Sequence, residues 1–183
     1  MRYARHCRYS HLGPTPVFKI LQLRTNDSVC MLNQEIQLIV ASISDVDTFV
    51  ALERKVSGSK IYSPILDRNE MLREFEKNKM FLIKMGGVTV ETIMYELKAA
   101  NHAYISGLVI DPDSQRQGIG RKSMLLLLEM LVGLSRIDMV THPDNNAALS
   151  LYESLGFSVE SRQENYFGDG EPRLVLVRQQ ERF

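Results

Sequence analysis

The sequence predicts an α/β fold: a mixed, mostly antiparallel sheet of six to seven strands flanked by about four helices. Three observations carry this. Met80 to Met85, Val88 to Leu97 and Ala103 to Ile110 are consecutive apolar, partly β-branched runs, the first two joined at Gly86-Gly87, which reads as a strand meander. After Asp111 the apolar spacing changes to that of a helix, with Met124, Leu127, Leu128 and Leu131 on one face. Strand and helix patterns then alternate, so a parallel crossover is grafted onto the meander.

The elements follow in order. Glu35 to Ser42 alternates and reads as the first strand. Ser44 is placed to cap a helix that aligns Val46, Phe49, Val50 and Leu52. A second helix spans Asp67 to Lys77, and the meander follows. Asp111-Pro112-Asp113 stops its last strand, and a glycine-rich turn leads into a helix from Arg121 to Leu134. Ile137 to His142 is a short strand. Pro143-Asp144-Asn145 turns into a helix over Asn146 to Leu155, ended by Gly156. Phe157 to Phe167 and Arg173 to Val177 close the sheet as an antiparallel pair around Gly168-Asp169-Gly170.

Composition bounds the class. Apolar residues make up 44% and charged residues 24% of the 183, which fits a packed globular chain and excludes disorder. The 22 basic residues balance the 22 acids, so no global field points to nucleic acid or a membrane surface. No apolar run approaches the roughly 18 residues a membrane-spanning helix needs. Cys7 and Cys30 are too few to staple the chain, and no Cys/His cluster has metal-ligand spacing. The default expectation is a cytoplasmic protein without metal, monomer or homodimer. Residues 1–30 stand apart with five Lys/Arg and one Asp. They read as a basic, poorly ordered extension (a targeting presequence or a flexible arm) ahead of a domain over 31–183.

Gln115-Arg116-Gln117-Gly118-Ile119-Gly120 lies between a strand and a helix. Glycines there let the backbone turn tightly and approach a ligand. The helix start offers unpaired N–H groups and a positive dipole end, which together bind phosphate. Arg116, Arg121 and Lys122 add cations. The Walker spacing is missing, and Ser123 stands where the third glycine of a dinucleotide fingerprint belongs. Read alone, the turn is either an anion site or a plain connection.

Two blocks narrow the choice. Gln115 to Gly120 fits the pattern Q/R-x-x-G-x-G/A, and Asn145, Ala148, Leu151, Tyr152, Gly156 and Phe157 fit N-x-x-A-x-x-L-Y-x-x-x-G-F. In these blocks, and in the helix and strand between them, the sequence resembles the GNAT superfamily of N-acetyltransferases over about Ala103 to Val177. The resemblance implies acetyl-CoA as donor. Its diphosphate would lie on the loop of Gln115, Arg116, Gln117, Gly118, Ile119, Gly120 and Arg121. The strand ending at Ile110 would splay from its neighbour, and its free edge at Leu108, Val109 and Ile110 would pair with the pantetheine arm. Asn145 matches a position that contacts that arm. Tyr152 matches the tyrosine facing the cofactor sulfur, where it protonates the departing thiolate; its plainer role is to pack the helix on the sheet.

The resemblance also frames the acceptor side. Acetyl transfer needs a neutral amine, a donor for the oxyanion and stabilisation of the thiolate; the backbone N–H near Leu108 or Val109 is the implied oxyanion donor. Where many lysine-directed relatives place a glutamate base, this chain has Tyr104, as in protein N-terminal acetyltransferases of one type. Another frequent base position falls on Val140, which cannot titrate; His142 shares its strand face and is within reach through a water. Glu96 and His102 are weaker candidates for the base. Asn165-Tyr166-Phe167 resembles the segment walling the peptide slot of ribosomal-protein alanine N-acetyltransferases, so Tyr166, with Tyr104, is a substrate-binding candidate. The leading expectation is acetylation of a peptide or protein N-terminal α-amine by direct attack in a ternary complex. A small-molecule amine acceptor, in a pocket made acidic by Glu91, Glu96, Asp169 and Glu171, is the alternative. A non-catalytic acyl-CoA sensor is the second alternative.

Overall fold

The computed structural model describes residues 35–179. The basic extension over residues 1–30 lies outside the described residues. The elements are β1 (Ile36–Val40), α1 (Val46–Val56), α2 (Arg68–Lys77), β2 (Lys79–Met85), β3 (Val88–Ala99) and β4 (His102–Ile110), then α3 (Ile119–Met130), β5 (Arg136–Thr141), α4 (Asn146–Glu153), β6 (Ser158–Gln163) and β7 (Arg173–Gln179). They build one seven-stranded sheet in the order β1-β2-β3-β4-β5-β7-β6. Every pairing is antiparallel except β4 with β5. No helix among the described residues is long and apolar enough to cross a membrane.

Strand alternation sets two cores. Phe81, Ile83 and Ile93 point to one face, where Met124 and Leu127 of α3 and Leu176 of β7 complete a buried cluster. Met80, Leu82 and Met94 point to the other, against Val46, Phe49 and Val50 of α1 and Met71 of α2. Each fully buried side chain of this size removes enough apolar surface to contribute about 1.5–3 kcal/mol.

Several boundaries differ from the sequence expectation, each for a local reason. The first helix is not capped by Ser44. The chain turns at Ser42, whose N–H donates to Asp45 Oδ2 at 2.8 Å, and a single 3-10 turn over Ile43–Asp45 precedes α1. Asp67, in contrast, is the cap of α2, accepting from the Glu70 N–H at 2.8 Å. Helix α3 begins two residues early because Gly118, at φ 75°, is its N-cap, and it ends at Met130 ahead of Gly133 at φ 90°. Strand β6 stops at Gln163, not Phe167. Asn165 takes a left-handed φ of 51° and its Oδ1 accepts from the Gly170 N–H at 2.7 Å, so 164–172 is a loop.

Candidate active site

The site is opened by the parallel pair. β4 and β5 are in register only for His102–Ile105 against Arg136–Met139. Beyond Ile105, β4 continues to Ile110 paired with β3 alone, so Ser106 to Ile110 present an unpaired edge toward β5. This is the expected splay. A cleft of about 280 Å³ lies there, lined by Leu108, Val109 and Ile110 from β4, by the loop before α3, and by Asn145, Ala148, Leu151 and Tyr152 around α4.

The loop is built to hold its backbone in place. Asp111 caps a 3-10 turn over Pro112–Ser114 and forms an ion pair with Lys55. The Gln115 side-chain amide donates to the Ile110 carbonyl at 3.3 Å, and the Gln117 side-chain amide to the Asp113 carbonyl at 3.3 Å. Arg116 adopts φ 60°, a conformation rare outside glycine that clusters at functional turns. Gly120 packs so closely on β4 that a Cβ would lie 2.7 Å from Ile110 Cδ1. The first intrahelical bond runs from the Lys122 N–H to the Gly118 carbonyl, which leaves the amides of the preceding turn without helical partners.

Gln115, Arg116, Gly118, Ile119, Gly120 and Arg121 therefore border one cleft together with the β4 edge and Tyr152. Gln117 stands in the same loop, with its side chain turned back on Asp113. The Arg121 guanidinium is tied to Ser154 Oγ, so at this residue the amide, rather than the side chain, borders the helix start. Asn145 caps α4, its Oδ1 accepting from the Ala148 N–H at 3.4 Å while its Nδ2 donates to Thr141 Oγ1 at 3.3 Å. The cleft also includes Tyr62 and Val56. Tyr62 was missed because the α1–α2 connection has no periodicity to read, and Val56 because it ends α1 beyond the residues that the helical spacing aligns.

Tyr152 is buried, with its ring edge-on to Phe157 at 6.2 Å. Burial above all, then the charges of Glu91 and Tyr62, push its phenol well above the usual tyrosine range. It remains an intact O–H donor across neutral pH.

The residues expected on the acceptor side are each engaged with neighbours of their own. Tyr104 on β4 hydrogen-bonds Tyr166 of the β6–β7 loop, and the Lys98 ammonium sits 5.5 Å from the Tyr104 ring centroid. Burial first, then Tyr166, Asp138 and Glu74, raises the Tyr104 phenol far above its ordinary value. It is a hydrogen-bonding group, and a phenolate base is strongly disfavoured there. His142 is 2% exposed; its Nδ1 accepts from the Asp144 N–H at 3.0 Å, which places the ring proton on Nε2, 3.1 Å from Glu171 Oε2. Both nitrogens are thus engaged. His102 is similarly taken, 2.8 Å from Asp138 Oδ1.

The four carboxylates expected to make an acidic pocket do not gather. Glu91 is buried beneath α3 against Ser123, Glu96 pairs with Lys98, Asp169 with Arg173, and Glu171 with His142. Glu91 and Glu96 share β3 but are separated by the burial of the first and the ion pair of the second, while Asp169 and Glu171, neighbours on the β6–β7 loop, are each held by a cation or ring of their own. Sequence reading also missed Arg173, an apparent strand residue. It is 2% exposed, its Nη2 reaching Ser63 Oγ and Asp169 Oδ2, with its guanidinium 5.3 Å from the Phe167 ring centroid. Lys60 pairs with Asp144 at 3.0 Å, so the α1–α2 connection is tied to both the β6–β7 loop and the β5–α4 turn. We expect Arg173→Met to raise the acceptor KM at least about tenfold, since it unties Ser63 and Asp169 and so releases the β6–β7 loop from the α1–α2 connection. Steady-state kinetics with acceptor varied, beside acetyl-CoA calorimetry, checks this; an equal loss in donor affinity would refute a role confined to the acceptor walls.

Comparison with known proteins gives the family and the fold. The family model described as the Acetyltransferase (GNAT) family covers residues 50–157, and the chain belongs to that family. It is similar to the ribosomal protein bS18-alanine N-acetyltransferase of Escherichia coli (strain K12), 36% identical over 81 residues, which are 42% of this chain and 55% of that protein. The chain spans about half the length of the curated relatives it matches. In fold it resembles the crystal structure of the ribosomal-protein-S18-alanine N-acetyltransferase from Escherichia coli, with a TM-score of 0.70 and 21% identity over 81% of this chain and 96% of that one. It also resembles yncA from Salmonella typhimurium, a structure with its cofactor acetyl-CoA (TM-score 0.66, 16% identity, 81% and 95% covered). At these identities the structural likeness establishes the fold.

Proposed function

We propose that the protein transfers an acetyl group from acetyl-CoA to the α-amine of a peptide or protein N-terminus by direct attack in a ternary complex, in a cytoplasmic setting. The donor's diphosphate lies on the amides of Gln117 to Arg121, and its pantetheine arm completes the sheet along Leu108 to Ile110. The thioester carbonyl, at the inner end, is polarised by the N–H near Leu108 or Val109. The neutral amine nitrogen attacks it, the C–S bond breaks as the tetrahedral adduct collapses, and Tyr152 gives its proton to the departing thiolate. The proton shed by the acylated nitrogen passes to water, which reprotonates the Tyr152 phenolate.

The observation that favours an α-amine is the engagement of the basic groups. The His142 ring nitrogens are both occupied, and Tyr104 is held protonated. A site without a ready base suits an acceptor that deprotonates unaided. With a reference pKa near 8, an α-amine is about one-quarter neutral at pH 7.5, whereas a lysine-type amine near 10.4 is about one part in a thousand neutral. Tyr104 and Tyr166 then line the peptide's approach, and the name of the relative from Escherichia coli points the same way. The test is thiol release from acetyl-CoA with Ala-, Ser- and Met-starting peptides against spermidine and free amino acids. The reading predicts turnover on at least one peptide class; preference for spermidine would move the acceptor to small amines, and binding of acetyl-CoA without turnover on any amine would favour the sensor.

A further inference from the structure

Glu91 is a glutamate with no place in the chemistry above. It sits in the middle of the sheet, in register between Ile83 of β2 and Ile110 of β4, with no exposed surface. Its Oε1 accepts from Ser123 Oγ at 2.7 Å, and Oε2 has no partner. Ser123 Oγ also lies 3.2 Å from the Gly120 carbonyl. The carboxyl is therefore coupled, through one hydroxyl, to the turn of α3 whose amides face the cleft.

We propose that Glu91 is a positioning residue for the donor: as a neutral acid it seats the first turn of α3 through Ser123, and as a carboxylate it opposes the anionic diphosphate. This rests on the placement of the diphosphate at that helix start.

The two protonation states differ in a way the geometry dictates. With the proton on Oε1, the carboxyl donates to Ser123 Oγ, whose own hydrogen then goes to the Gly120 carbonyl. That chain pins the glycine packed on Ile110. In the ionised state the hydroxyl must turn to Glu91, releasing the Gly120 carbonyl, and the unpartnered Oε2 shares a buried negative charge. That charge lies under the positive end of the α3 dipole, which cannot neutralise it and the diphosphate together. The groups around the carboxyl do not offset it. β2 and β4 face it with Ile83 and Ile110, α3 with Ser123, and α4 with the Tyr152 phenol, which feels its charge. Asp111, next along the chain, is paired with Lys55, and Arg116, Arg121 and Lys122 stand exposed on the loop and first turn. Burial, opposed by the Ser123 hydrogen bond, raises the Glu91 pKa to about 8.

The sign is fixed by linkage. If binding requires the neutral acid, the Kd for acetyl-CoA is level below that pKa and rises by about tenfold between pH 7 and 9. Calorimetry with acetyl-CoA, whose thiol is blocked, on the full chain from pH 6.5 to 9.5 reads this directly. We expect the rise in the wild type and a flat profile in Glu91→Gln. Ser123→Ala, which removes the hydroxyl linking the carboxyl to the Gly120 carbonyl, should weaken binding at pH 6.5 and shrink the rise, because only the repulsion by the buried charge is left. A residue that merely packs would do neither. The same rise in Glu91→Gln, or wild-type affinity at pH 6.5 with the full rise in Ser123→Ala, overturns the proposal even if one variant fails to fold. A level profile in the wild type overturns it while leaving the donor site intact. A folded wild type that binds no acetyl-CoA at any of these pH values instead removes the donor site itself, and this inference with it.

Discussion

Tyr152→Phe is expected to lower turnover by at least about tenfold with little change in acetyl-CoA affinity, because positioned proton transfer contributes roughly 10²–10⁴-fold. The substitution keeps the ring, its edge-on contact with Phe157 and its burial, and removes only the hydroxyl. What is lost is therefore the proton for the thiolate. The raised pKa matters here: a phenol that keeps its hydrogen throughout the working range is available to every cycle. Single-turnover kinetics at saturating acetyl-CoA provides the check. An unchanged chemical step would reduce Tyr152 to a packing residue and require another source for the proton.

Gly118→Val is expected to abolish donor binding, weakening the Kd for acetyl-CoA by at least about a hundredfold. The space at Gly118 is open, so the effect is not steric crowding by neighbours. It is conformational: φ 75° is accessible to glycine, whereas a β-branched residue there is a genuine outlier. The valine would pull the N-cap out of the left-handed region and swing the following amides away from the diphosphate. Calorimetry on a variant whose melting temperature is close to the wild type reads the site alone. Normal affinity would contradict the placement of the diphosphate.

Much of the donor half was legible because short-range rules determine it. A glycine in the αL region, a helix start with free amides and a β4 edge ending at Ile110 follow from residues close together in sequence, and the structure sets them around one cleft. The strand order was legible where hydrophobic period and turns agreed. The helix entry at Ser42 was not, because a local network decides it, in which Asp45 accepts from both the N–H and the hydroxyl of Ser42 while the Ser44 hydroxyl bonds that of Ser42. The proposed acceptor half was less legible for a different reason. Arg173 reaches Ser63 across 110 residues, and His142 is fixed by Glu171 across 29. Neither pairing leaves a trace in spacing. Glu91 was expected to help make an acceptor pocket acidic because nothing local announces that β3 is covered on both faces.

The proposed function stands on backbone amides at the start of α3 gripping the diphosphate of acetyl-CoA. A crystal structure of the complex decides it. Diphosphate oxygens are expected about 2.9 Å from the N–H groups of Gly118 to Arg121, with the pantetheine arm laid along Leu108 to Ile110. Density for the cofactor on any other surface of the protein, with that helix start unengaged, would contradict it.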